Sequence, residues 1–230
     1  MAMVLKLIMA AVLLGIPLTG YVMQIYRGKT PAPEAEHWGT LFTDGLKLVI
    51  IGLIYMIPVI IISLAPAFIF NPGTLPAEPV GSVHRMDTLA VVAPLVVMLL
   101  SMLITLILEI IIAILLPIAS IRFARSGIFS DAFRFREILA RIRKIGWFNY
   151  LVSLLTILIV IGIPIFILEM VFLFAGIAAG NILIGISLFI LFIIFIAPLM
   201  VTFQARFMTL VYDSAPLPGD PADQPASHGI

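Results

Sequence analysis

Apolar residues run through this chain in five blocks, at residues 4–23, 46–70, 88–121, 147–174 and 181–203, with most of the charge held between them. About 20 helical residues cross the roughly 30 Å of hydrocarbon in a bilayer, and backbone groups there must be satisfied inside the segment. Each block therefore predicts a transmembrane helix. Pro17, Pro58, Pro94, Pro117, Pro164 and Pro198 fall in these blocks, and each removes one intrahelical hydrogen bond, so the spans are predicted to kink. The third block would be roughly 50 Å long at 1.5 Å per residue; it must tilt, break at Pro94 or project into water. The fold class that follows is all-α, a polytopic transmembrane bundle of about five segments. It forms one membrane domain over residues 1–212, with a polar, disordered tail over 213–230.

Two stretches between the blocks are amphipathic instead of uniformly polar, which predicts two helices on the inner membrane surface. In the first, Trp38, Leu41 and Phe42 share one face, with Glu36, Thr40 and Asp44 on another. In the second, Phe135, Ile138, Leu139 and Ile142 recur at i, i+3, i+4 and i+7, opposite Arg134, Glu137, Arg141 and Lys144. Ser130 is placed to cap this helix, with Asp131 beside the positive end of its dipole. An apolar face with a basic rim suits a helix lying among lipid headgroups, and Arg134, Arg141 and Lys144 are the candidate contacts to anionic ones. The same arginines also serve simply to fix membrane topology.

Both halves read as span, basic turn, surface helix, span. Tyr26-Arg27-Gly28 leads into the first surface stretch and Arg122-Phe123-Ala124-Arg125-Ser126-Gly127 into the second, suggesting a parallel repeat of 4–70 and 88–174 with 181–203 added as a final span. Inner loops of membrane proteins are often basic and amphipathic, which is the simpler explanation of the likeness. Lysine and arginine collect on cytoplasmic loops. The segment holding Arg122, Arg125, Arg134, Arg136, Arg141, Arg143 and Lys144 is thus assigned to the cytoplasm, as is the C-terminus. The N-terminus falls outside in a five-span count. Lys6 and the break at Pro17 also fit a re-entrant hairpin, and Leu18-Thr19-Gly20 offers a weak signal-peptide cleavage site.

Composition agrees. The chain is 63% hydrophobic and 11% charged, against about a quarter charged in soluble domains, and its mean hydropathy is +1.25. A net charge of +1 favours neither nucleic acid nor an acidic partner, and without cysteine there are no disulfides or thiolate sites. His37, His84 and His228 are scattered over different connections, so no metal site is predicted; nor are cofactors or catalytic residues.

Two acids interrupt apolar blocks, where ionisable groups are costly. Glu169 is far enough from Lys144 to reach the outer interface. Glu109 lies roughly 20 Å from Arg122 along a helix, with Ser101 and Thr105 at i−8 and i−4, forming a polar stripe that must face protein or a cavity. Thr156, at a similar depth, is a candidate hydrogen-bond acceptor. Gly176-x-x-x-Gly180 reads as a tight hairpin in preference to a close helix-crossing motif.

Gly20-Tyr21 with Arg27, the stretch Trp38-Gly39-xx-Phe42-x-Asp44-Gly45-Leu46-Lys47 leading to Tyr55-xx-Pro58, and Pro117-xxxx-Arg122-Phe123-Ala124-Arg125-Ser126-Gly127-xxx-Asp131-Ala132-Phe133 resemble an archaeal membrane-protein family catalogued as domain of unknown function 4013. The likeness runs from about Ile8 to Tyr212. It implies an archaeal cytoplasmic membrane and no assigned activity. A more distant likeness is to membrane domains attached to glycerophosphodiester phosphodiesterases. The expected function is a non-catalytic scaffold, accessory or lipid-contacting module whose partners are the bilayer, anionic headgroups, and a membrane protein or second copy. The alternatives are a small-solute or ion transporter or channel using Glu109, and an intramembrane lipid enzyme.

Overall fold

A computed structural model describes residues 15–28, 38–69 and 88–215. The regular elements among them are all helical: α1 (residues 15–26), α2 (Trp38–Ile69), α3 (Thr88–Ser126), a 3-10 turn (Phe129–Phe133), α4 (Phe135–Ile145), α5 (Trp147–Ile157), a π-helical turn (Leu158–Gly162), α6 (Ile163–Ala178), α7 (Ile182–Phe195) and α8 (Ala197–Asp213). Among the described residues, three stretches are long and apolar enough to cross a membrane, namely Trp38–Ala67, Val92–Ser126 and Trp147–Ala178. The first block is described only from residue 15, and His37, His84 and His228 lie outside the described residues.

Proline has different effects at different places. Pro58 and Pro66 sit inside an unbroken α2, and α3 runs through Pro94 and Pro117 without stopping. The third block therefore does not break at Pro94. Hydrocarbon offers no alternative partner for backbone groups, which favours keeping the remaining helical bonds. At Pro164 the chain switches from α to π geometry one turn earlier, over Leu158–Gly162, which absorbs the missing donor. At Pro198 it stops: α7 ends at Phe195 and α8 begins at Ala197. The block at 181–203 is thus two helices, and α7 at 14 residues covers only about 21 Å.

The two amphipathic stretches also part company. The first belongs to α2, which continues from Trp38 into the apolar span, so it is an extension of that helix and no separate surface element. The second is set apart as α4 because Gly146 takes φ 96°, which only glycine adopts without strain. Ser130 does not cap α4. It is taken up by the 3-10 turn, and the Arg134 carbonyl instead accepts from the N–H groups of Glu137 (2.9 Å) and Ile138 (3.0 Å).

The chain forms two compact units, Gly52–Leu116 and the rest, Met1–Ile51 with Pro117–Ile230. The smaller unit buries Tyr55, Val59 and Ile112. The larger holds most of the core, with Met23, Ile51, Ile121, Phe123, Ile138, Ile142, Tyr150 and Met208 almost fully enclosed. Within it, α1 and α2 touch through glycines. A Cβ at Gly45 would collide with the Ile16 carbonyl oxygen and lie 2.8 Å from Gly20 N, and one at Gly20 would collide with the Leu41 carbonyl oxygen. The α6–α7 hairpin divides its glycines between two jobs. Gly180, at φ 62°, makes the turn, while Gly176 packs on Gly185 of α7, where a Cβ would be 3.1 Å from Gly185 N. Asn181 caps α7 by accepting from Leu183 N at 3.0 Å.

Candidate functional site

Charge in the larger unit gathers where α1, α3, α4 and α8 end or begin. A helix leaves its last four carbonyls unpaired and carries partial negative charge there, so a C-terminus attracts cations. Arg27, just past α1, donates from Nε to the Ala124 carbonyl of α3 at 3.3 Å. Arg125 returns the arrangement, donating from Nε to the Tyr26 carbonyl of α1 at 3.2 Å. Each arginine is then held by an acid: Arg27 by Asp44 of α2 at 2.7 Å, and Arg125 by Asp213 of α8 at 2.7 Å. Buried Phe123 and Ala124 anchor the α3 side of this exchange.

Arg141 is the most enclosed of these cations, only 5% exposed. Its Nη2 donates to the carbonyls of Tyr212 and, at 2.9 Å, Ala215, so it caps the end of α8. Its guanidinium lies 4.3 Å from the Tyr212 ring centroid and that of Arg125 lies 4.7 Å from it, within cation–π range. Burial pushes the Arg141 pKa down from its ordinary value; Tyr212 and Asp213 pull it back up, and Arg125 and Arg122 oppose them. Burial also raises the Tyr26 phenol to about 12, which keeps it neutral. Ala215 is buried and Ser214 is placed beside it, so the first residues of the 213–230 stretch are docked; those beyond lie outside the described residues.

The outward side of α4 is different. Arg122 pairs with Glu137, which also meets Arg134 at 3.3 Å, and Arg134 reaches Asp131 at 3.3 Å. Ile138, Arg141, Ile142 and Ile145 are buried, whereas Phe135 and Leu139 are exposed, 49% and 39%. At about 100° per residue these exposed apolar positions lie roughly 90° around the helix from the buried stripe. Exposed Arg136 and Arg143 flank them on the far side, and Ile128, Phe129, Trp147 and Phe148, in the segments on either side of α4, are exposed as well.

The headgroup candidates taken from the sequence thus divide. Arg134 and Lys144 are exposed, but Arg141 faces the protein, where the carbonyls of Tyr212 in α8 and of Ala215 just past it accept from it. Arg136 and Arg143 were missed, although a helical projection places both beside Phe135 and Leu139. The intramembrane stripe divides too. Ser101 and Thr105 are half-buried and Glu109 is exposed on α3 in the smaller unit, while Thr156 on α5 belongs to the larger. The Ser101 hydroxyl donates to Met98 O (2.9 Å) and that of Thr156 to Val152 O (2.8 Å), both within their own helices. Glu169 lines an apolar groove of about 350 Å³ with Phe172, Gly185 and Phe189. No group of three His, Asp or Glu residues suited to a metal occurs among the described residues.

A family model described as "Protein of unknown function (DUF4013)" matches residues 3–173, from the N-terminal segment into α6. No curated protein and no solved structure matches the chain.

Proposed function

The chain belongs to the DUF4013 family, whose description assigns no activity, and on that footing we propose that it is a non-catalytic, multi-pass membrane module that seats α4 in the headgroup layer of an anionic leaflet. One observation carries this reading. After burying Ile138, Ile142 and Ile145 in the protein, α4 still exposes Phe135 and Leu139, with Arg136 and Arg143 beside them. Water alone gives no reason for a second apolar stripe with a cationic border, whereas the boundary between headgroups and acyl chains accommodates both. Residence in an archaeal cytoplasmic membrane, about five membrane segments with kinks at the prolines, and a cytoplasmic α4 and C-terminus belong to the proposal. The run of basic residues from Arg122 to Lys144 supports that orientation. The test is lipid retention by the full chain in nanodiscs of mixed neutral and anionic lipid. Each surface cation contributes about 1 kcal/mol near an anionic surface at modest salt, so Arg136→Gln and Arg143→Gln should each weaken anionic enrichment by about fivefold. Equal enrichment in wild type and the double variant would refute the reading.

Transport is the second reading, and Glu109 is what favours it: an exposed carboxyl about 20 Å along a spanning helix from its basic end. Glu109→Gln should fold normally yet abolish pH- or ion-dependent flux in liposomes. Undiminished flux from that variant would exclude Glu109 as an ion site.

A further inference from the structure

A second basic feature of the larger unit lies away from the exposed apolar stripe of α4. On α4, Glu137, Ala140, Arg141 and Lys144 fall at i, i+3, i+4 and i+7, and with Arg122 of α3 and Tyr212 of α8 they line a cleft of about 200 Å³. Three cations and one carboxylate leave this lining with a net charge of +2. The volume is below the roughly 300–1,000 Å³ of pockets for drug-sized ligands, so an occupant is small. Two guanidinium groups and one ammonium suit a tetrahedral dianion, arginine by its planar fork and lysine as a point charge. Rigid supports hold the walls: Arg141 is fixed on the end of α8, and Arg122 is fixed by Glu137. We propose that this cleft binds a phosphate group.

Its position on α4 indicates where the phosphate comes from. The stripe from Glu137 to Lys144 centres roughly 170° around the helix from Phe135 and Leu139. If those two face acyl chains, the cleft opens to water, and its ligand is inorganic phosphate or a small soluble phosphate ester. Only this statement of source rests on the membrane seating of α4; the phosphate site itself does not.

The experiment is calorimetric titration of the detergent-purified full chain with inorganic phosphate and, separately, with a short-chain phosphatidic acid. Wild type should bind inorganic phosphate saturably. Lys144→Gln should weaken binding about tenfold, the scale of one lost charge-assisted hydrogen bond. Ala140→Glu adds a carboxylate at an exposed helical position of the rim and should weaken binding at least as much, leaving the Arg141 support intact. Lys47→Gln, which removes an exposed cation of α2 outside the cleft, should bind as wild type. Absence of saturable binding, or Ala140→Glu and Lys144→Gln binding like wild type, overturns the site. Phosphatidic acid binding more than about tenfold tighter than inorganic phosphate would overturn the aqueous source. Loss of anionic enrichment in nanodiscs by Arg136→Gln with phosphate binding intact separates the two proposals.

Discussion

Gly45→Ala should unfold the α1–α2 contact, at a cost of about 3 kcal/mol or more. The added methyl would meet the Ile16 carbonyl oxygen and crowd Gly20 N, both main-chain atoms that no rotamer change can move aside. Relief requires the helices to separate, and separation pulls on Arg27, which is tied to Asp44 of α2 and to the Ala124 carbonyl. Gly52, seven residues further along the same helix, has nothing within 4 Å of its would-be Cβ. There alanine only improves helix propensity, so Gly52→Ala should stabilise by roughly 0.5–1 kcal/mol. Thermal unfolding of the two variants in the same detergent should therefore shift in opposite directions. A Gly45→Ala melt that coincides with wild type would show that the helices do not meet through these glycines.

Arg141→Met should destabilise by about 2–4 kcal/mol, because it strips the donor from two carbonyls at a buried helix end and leaves the Tyr212 ring without one of its cations. Arg141→Lys keeps the charge but not the fork, and should fall between the two. Arg143→Gln, exposed two residues away, should change stability by less than about 0.5 kcal/mol. Amide hydrogen exchange gives a local readout: protection in the last turn of α8 should fall in Arg141→Met before protection in α3 does. Uniform loss across α3, α4 and α8 would mean that Arg141 supports the fold generally and does not specifically dock α8.

The apolar blocks were legible because a run of about 20 apolar residues has few interpretations. The effect of proline inside them was not. Pro58, Pro164 and Pro198 look alike along the chain yet leave a continuous helix, a π turn and a break. Similarly, the Phe135–Ile142 pattern located α4 but not its division. Periodicity defines one apolar arc, and nothing local says that Ile138 and Ile142 face protein while Phe135 and Leu139 face outward. Arg141 was grouped with Arg134 and Lys144 by charge and by its place on the face opposite Phe135. Its partner carbonyls arrive from 71 and 74 residues downstream, a separation that no local pattern encodes. The two basic turns aligned as a possible repeat are the ones whose arginines cap each other's helix, Arg27 on α3 and Arg125 on α1. Gly20 and Gly45 stood out by resemblance before any contact explained them.

Seating of α4 is the central claim of the proposed function, and the absence of cysteine makes it accessible to site-directed spin labelling. Single nitroxides would be placed at Leu139→Cys and Ala140→Cys, neighbouring positions about 100° apart on the helix. In vesicles containing anionic lipid, the Leu139 label should relax faster with oxygen, which concentrates in acyl chains, and the Ala140 label with a water-soluble nickel chelate. Preferential nickel access at both positions, or oxygen access at Ala140 exceeding that at Leu139, would contradict a helix seated with Phe135 and Leu139 toward the lipid.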